Sequence, residues 1–300
     1  MYREFYGLIR QPFEMTPDPS FLYMGEAHKE GLATLVYGVR SGKGFVLLTG
    51  EVGTGKTTLL HALLSQLDAH TSSAFIFNPR LDPIDFFQVL FVELGIETRC
   101  ETKAEYLLEL NKFLIHCLET GQPTPLLIID EAQNLSAEML EEIRLLSNLE
   151  TPTTKLIQIM LVGQPELKEL LHRTELRQLR QRIALRHDLR PFDEAETAHY
   201  VGDRLAKAGY SGKPLFKKGA IRELYQITGG IPRLINSVCD SALLLGYSRD
   251  MRAIDGNAIR EVAGDLDLLP DDEKPPVATK KNGAARAKRT RRRRWLSRFR

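Results

Sequence analysis

The segment Gly50-Glu51-Val52-Gly53-Thr54-Gly55-Lys56-Thr57 constrains this chain more than any other. Two glycines flank four residues and a Lys-Thr pair follows, the spacing of a phosphate-binding loop. The loop lies between a short apolar run, Phe45-Val46-Leu47-Leu48-Thr49, and a run of helical character from Lys56 to Leu64. A strand that enters a glycine-rich turn and leaves as a helix aims backbone N–H groups at an anion. The helix N-terminus adds the positive end of its dipole. In such a loop Gly50, Glu51, Val52, Gly53, Thr54, Gly55, Lys56, Thr57 and Thr58 cradle a nucleotide. Lys56 then faces the β- and γ-phosphates and the Thr57 hydroxyl ligates Mg²⁺. ATP and Mg²⁺ are the expected ligands.

A second run, Leu126-Leu127-Ile128-Ile129-Asp130-Glu131, delivers two carboxylates at the end of an apolar strand. Ligands of open α/β sheets sit at that end. Asp130 is expected to hold Mg²⁺ and Glu131 to polarise an attacking water. An adjacent acidic pair favours hydrolysis over phosphoryl transfer to a small acceptor, which disfavours a kinase. The strand Leu156 to Val162 ends at Gly163-Gln164 and brings Gln164 towards the γ-phosphate.

Strand-like and helix-like segments alternate through the first two thirds. Ala74 to Asn78 and Ala184 to Leu189 read as further strands, and Pro83 to Leu94 and Ala104 to Leu118 as helices. Continuous apolar strands between helices predict a parallel sheet covered on both faces. After Pro191 the strands stop. Asp193–Gly209, Lys217–Thr228, Pro232–Gly246 and Asp255–Leu266 all show helical spacing. The expected fold class is α/β, a parallel sheet with helices on both faces followed by a small all-α lid. Residues 1–191, including an N-terminal arm 1–40, form the nucleotide-binding unit, 192–268 the lid, and 269–300 a disordered basic tail.

Charge is segregated. The chain has 41 Lys/Arg and 39 Asp/Glu; the tail from Asp271 holds 12 and 3 of these, leaving 29 basic against 36 acidic residues elsewhere. Such a block suggests a partner of opposite charge. Its end, Lys288 to Arg300, interleaves Trp295, Leu296 and Phe299 with arginine. That pattern suits anionic lipid, with nucleic acid or a merely solvated tail as alternatives. No run approaches the roughly 18–20 apolar residues of a membrane span, and the first residues lack the apolar core of a secretory signal. Cys100, Cys117 and Cys239 are too few and too widely spaced for a disulfide framework or a metal knuckle. They read as buried thiols of a reducing cytoplasm. His28, His61 and His116 read as packing or surface residues. The aromatics Phe5, Tyr6, Phe13, Phe21 and Tyr23 suit either an adenine-side segment or packing of the arm on the sheet.

Three further features define the resemblance: the arginines of Arg177-Gln178-Leu179-Arg180-Gln181-Arg182-Ile183, Gly229-Gly230-Ile231-Pro232-Arg233 at a helix start, and an N-terminal pattern. With the phosphate loop and the Asp-Glu strand end, the first two resemble an AAA+ ATPase. Tyr6-Gly7-Leu8, Pro12-Phe13, Thr16-Pro17-Asp18-Pro19, Asp130-Glu131-Ala132-Gln133-Asn134-Leu135 and Val162-Gly163-Gln164-Pro165-Glu166-Leu167 are similar to the general secretion pathway protein A family, over about Met1 to Leu268. The resemblance implies a cytoplasmic ATPase, on its own or at the inner-membrane face. It assembles with its own kind in the presence of ATP and assembles or energises envelope export with an inner-membrane partner. In that family a membrane span and a peptidoglycan-binding region follow. This sequence ends where the span would begin, so peptidoglycan binding is not carried over. The pattern also resembles transposition ATPases of the TniB type, which would make the chain a DNA-associated regulator. By resemblance Arg233 is the lid arginine that reads the γ-phosphate and Gln164 occupies the first-sensor position. Arg182 sits where a neighbour-acting arginine finger is found, with Arg177 and Arg180 competing for that role.

Overall fold

The computed structural model describes residues 1–15, 19–68, 70–77 and 81–269. The basic tail and the Asn78 end of the second expected strand lie outside the described residues. The sheet follows from two-sided burial. Strands β1 (Phe45–Gly50), β2 (Ser73–Ile76), β3 (Leu126–Ile129), β4 (Gln158–Gly163) and β5 (Ile183–Leu189) are all parallel, in the order β2-β3-β4-β1-β5. Along the three central strands alternate side chains enter two different cores. Phe45, Leu47, Leu127, Ile129, Ile159 and Leu161 enter one, and Val46, Leu48, Leu126, Ile128, Met160 and Val162 the other. A strand with period-2 alternation and two dry faces must be apolar throughout, which is why these segments read as unbroken hydrophobic runs. β5 lies at the edge. Its pattern of buried ends and exposed alternate residues explains its weaker signal in the sequence.

Helices cover both faces. α4 (Pro83–Leu94), α5 (Lys103–Glu119) and α6 (Ala137–Leu146) bury Phe86, Leu90, Leu110, Leu114 and Ile143 in the first core. α2 (Glu26–Arg40) and α3 (Lys56–Leu64) bury Leu35, Val39, Leu59, Leu60 and Leu63 in the second. Local chemistry fixes several starts. The Asp82 side chain accepts from the N–H groups of Ile84 and Asp85 ahead of Pro83, and Thr102 with Glu105 forms a capping box on α5.

The short helices α1 (Tyr2–Tyr6), α7 (Glu166–Leu171) and α8 (Arg177–Arg182) are not among the helices expected from the sequence, and neither are α2 and α6. Four longer ones, α9 (Glu194–Lys207), α10 (Lys218–Thr228), α11 (Pro232–Ser248) and α12 (Gly256–Asp265), enclose a third core. The arm, expected on the sheet or beside the base, packs into this helical core through Tyr2, Tyr6, Leu8, Phe13 and Phe21. The reason is coverage: amphipathic helices this few leave an apolar stripe that needs a lid of its own. Polar clips hold the arm in place. The Ile9 N–H donates to Ala208 O at 2.8 Å, the Tyr6 hydroxyl to Met251 O at 3.0 Å, and the Arg204 Nε to Pro12 O at 2.5 Å.

Glu196 joins the two bodies. Its carboxylate accepts from the Glu26 N–H at 2.9 Å, from Arg190 Nη1 at 2.7 Å and from the Asp193 N–H at 3.1 Å. Burial raises its pKa, but these three donors outweigh it and hold the carboxyl below the usual glutamate value. The start of α2, the exit of β5 and the start of α9 therefore meet at one side chain.

The arm is a structural part of the helical core. Phe13 is 1% exposed and sits edge-on to Phe216, with ring centroids 6.0 Å apart. Phe13→Ala should lower unfolding stability by about 3–5 kcal/mol, read as a lower denaturation midpoint in urea; a change within 0.5 kcal/mol would show the arm to be dispensable.

Candidate nucleotide site

β1, β4 and β3 are neighbours in the sheet, and their C-terminal ends carry the chemistry. β1 runs into the loop Gly50–Gly55, β3 ends at Asp130-Glu131 and β4 at Gly163-Gln164. The loop turns through two left-handed glycines, Gly53 at φ 81° and Gly55 at φ 100°. A Cβ on Gly53 would lie 2.6 Å from Arg233 Cβ, so glycine is required there by approach as well as by dihedral. Arg233 itself donates its backbone N–H to Gly53 O at 3.2 Å. The start of α11 thus rests directly on the loop.

Lys56 is buried, and its ammonium donates to Gly50 O at 2.8 Å and Glu51 O at 3.1 Å. Burial lowers its pKa, and the nearby carboxylates of Glu131 and Asp130 oppose that shift. Asp130 is also buried. Burial raises its pKa, while the Glu131 N–H, donating to Oδ1 at 2.9 Å, and the charge of Lys56 favour the carboxylate. The Thr57 hydroxyl donates to Asp130 Oδ2 at 3.5 Å. A hydroxyl and a carboxylate side by side are hard oxygen donors of the kind Mg²⁺ prefers. Thr57 and Thr58 are exposed at the mouth of the loop.

Glu131 has a left-handed backbone, φ 53°. A non-glycine residue there is strained by roughly 1–2 kcal/mol. Its carboxylate Oε2 accepts two amides, Gln164 Nε2 at 2.9 Å and Gln133 Nε2 at 2.5 Å. The structure therefore brings Lys56, Thr57, Asp130, Glu131 and Gln164 together, and seats Arg233 on the same loop through its backbone. Arg182 is placed differently. Its guanidinium donates to Ser147 Oγ at 2.5 Å and Asn148 Oδ1 at 2.7 Å within the same chain. Arg177, at the first position of α8, is exposed and makes no side-chain hydrogen bond or ion pair among the described residues.

Two residues of the site were not recognisable in the sequence. Gln133 reaches Glu131 only because the left-handed turn folds residues 131–134 back on themselves. His28, expected as ordinary packing, is 3% exposed and lies against the phosphate loop, with Nε2 3.0 Å from Thr54 O. A carbonyl only accepts, so Nε2 carries the proton and Nδ1 is left as a buried acceptor without a partner in the described residues. The ring also packs on Phe192, with centroids 5.3 Å apart. A lone histidine on a helix gives no sequence sign of this placement.

A sequence model described as the AAA domain matches residues 39–171. General secretion pathway protein A of Aeromonas hydrophila is 43% identical over 269 residues, which are 89% of this chain and 48% of that protein. Over residues 39–171 the chain carries an AAA domain, and over most of its own length it is similar to that protein. It spans about half the length of this relative. Among solved structures the chain resembles Cdc6p of Pyrobaculum aerophilum, at TM-score 0.64 and 16% identity over 84% of this chain and 71% of that one. It also resembles an ORC chain from Drosophila, at TM-score 0.63 and 17% identity over 88% and 65%. RuvB of Thermotoga maritima aligns at TM-score 0.52 and 17% identity over 84% and 72%. At these identities the likeness is one of fold. No described helix is long and apolar enough to cross a membrane.

His28 links loop and stability to pH. Burial lowers its pKa from 6.5, with the hydrogen bond to Thr54 O opposing that shift. A histidine kept neutral in the fold takes up its proton more readily when unfolded. Stability is therefore full above 6.5 and falls as pH drops below it. His28→Leu should flatten this acid loss, measured as urea midpoints between pH 7.5 and pH 5; an unchanged slope would place the titrating groups elsewhere.

Proposed function

We propose that this chain is an AAA+ ATPase that hydrolyses ATP at the loop just described, with Glu131 as the base, and that its turnover assembles or drives an envelope export system. The observation that carries the catalytic part is convergence. A buried ammonium, a buried carboxylate, a half-buried carboxylate and an amide meet at the ends of three adjacent strands. In this reading Gly50, Glu51, Val52, Gly53, Thr54, Gly55, Lys56, Thr57 and Thr58 hold the phosphates, and Thr57 and Asp130 hold Mg²⁺. The metal would neutralise charge on the β- and γ-phosphates and orient them. Lys56 leaves its two carbonyl partners for phosphate oxygens. Glu131 accepts a proton from the attacking water, whose position Gln164 helps to fix.

Arg233 is proposed to read the γ-phosphate from the helical lid, residues 192–268. Its backbone already ties α11 to the loop, so a change at the phosphate is felt where the lid begins. The neighbour-acting finger is proposed to be Arg177. The Arg182 guanidinium is engaged by Ser147 and Asn148, and Arg180 is only partly exposed. Arg177 is the exposed arginine of the three. A finger implies a homo-oligomer, since it completes the site of an adjacent copy.

Glu131→Gln should bind ATP and lose about 10²–10⁴ of its turnover. Arg177→Ala should bind normally and turn over poorly. Mixing the two should restore part of the activity, because an Arg177→Ala site beside a Glu131→Gln neighbour has both a base and a finger. Turnover by Glu131→Gln within a few-fold of the parent would remove the base assignment. The restoration appearing with Arg182→Ala in place of Arg177→Ala would return the finger to Arg182.

The export role rests on the 43% identical relative, a general secretion pathway protein. The described residues hold nothing that favours the transposition alternative. Place in the cell is proposed to be the cytoplasmic face of the inner membrane, reached through the basic tail and an export partner. Cell fractionation should find the full chain with membrane and a chain ending at Pro270 in the supernatant; equal partition of both would remove the tail from the localisation.

A further inference from the structure

Gln133 bridges the proposed base and the end of β4, and nothing in the proposed mechanism so far uses it. The residue sits in the short 3-10 turn Ala132–Asn134 that follows Glu131. Its amide is engaged at both ends. Nε2 donates to Glu131 Oε2 at 2.5 Å, and Oε1 accepts the Gln164 backbone N–H at 3.1 Å. The Gln164 side chain then returns to the same Glu131 oxygen at 2.9 Å. The three residues close a ring of hydrogen bonds that ties two neighbouring strand ends together through side-chain amides.

The site is shaped to admit this bridge. A Cβ on Gly163 would lie 2.7 Å from Gln133 Oε1, so the absence of a side chain at the end of β4 gives the amide its room. The left-handed backbone of Glu131 is the second requirement, since it turns residue 133 back towards residue 131. Strain at one position and a missing side chain at another converge on a single amide.

The distribution of donors has a chemical consequence. Both amides fall on Oε2, and no described hydrogen bond uses Oε1. An amide donor cannot give up its proton near neutral pH, so it fixes the carboxylate without neutralising it. One oxygen is anchored and the other is available to a water. A carboxylate free to rotate would present either oxygen in many orientations, and a misplacement of about 1 Å costs up to roughly 10²-fold in rate.

We propose that Gln133 is a positioning residue for ATP hydrolysis: it locks the Glu131 carboxylate and couples it to Gln164. This inference rests on the reading of Glu131 as the base, and the test separates the two.

Turnover and affinity for a non-hydrolysable ATP analogue would be measured on the full chain. The variants are Gln133→Leu, which removes both ends of the bridge, and Gln133→Glu, which keeps the acceptor for Gln164 and replaces the donor to Glu131. Each is also made in a Glu131→Gln background. Both single variants should lose about 10- to 100-fold in kcat, with analogue affinity within about 2-fold. Neither should lower the residual turnover of Glu131→Gln further, because a positioning residue acts only through the group it positions. Retained analogue binding shows that the variants are folded.

Unchanged kcat in both single variants would overturn the proposal. So would a faster enzyme, which would make the bridge a restraint, or an equal loss in both backgrounds, which would make Gln133 a structural residue. Near-parental turnover by Glu131→Gln alone would instead remove the base reading, whatever Gln133 does.

Discussion

The buried charge set at the strand ends governs how the rest of the molecule is arranged. An ammonium at Lys56 and a carboxylate at Asp130 are both removed from water, and each is tolerable only because the other charges and the loop carbonyls surround it. Neither could be held at the required distance by a flexible loop alone. The dry, two-sided sheet supplies the rigidity: β1, β4 and β3 are locked in register by parallel ladders and packed on both faces. The large apolar investment in these strands is what keeps a small group of opposed charges in place.

Much of this was legible because it depends on spacing along one short segment. The phosphate loop is continuous in sequence, and its glycines, Lys56 and Thr57 announce their geometry by residue type. The Asp130-Glu131 pair is legible for a similar reason, since an apolar strand can end in only one place. The long helices of the lid were also readable from periodicity, with ends within a few residues. What escaped detection depends on contacts between distant or unusual backbone positions. The bridge through Gln133 needs a left-handed glutamate, which sequence pattern does not signal. The placement of His28 needs α2 to run beneath the phosphate loop, a tertiary fact. The hydrogen bonding of the Arg182 guanidinium needs Ser147 and Asn148, some thirty-five residues earlier.

The arm shows the same limit at larger scale. Its aromatics declare that it will be buried but not against which body. Composition at Tyr2–Phe21 is as suitable for the sheet as for the helices; the helices win because they present the uncovered apolar surface. The polar clips from Arg204 and Met251 then fix the register of the arm on that surface.

The position of Glu196 has a mechanical consequence. The polypeptide crosses between sheet body and helical body at two places, once before α2 and once after β5, and both crossings are tied to this one carboxylate. Two strings attached at separate points would permit sliding and twisting. Two strings pinned at a common point, with the Arg233–Gly53 hydrogen bond as a further tie, hold the start of α9 and the phosphate loop in one connected frame. The Arg233–Gly53 hydrogen bond joins the same two bodies at the phosphate loop, so a relative displacement of the bodies must strain one tie or the other. The arm is packed into the helical core, so its residues share whatever position that body takes relative to the sheet.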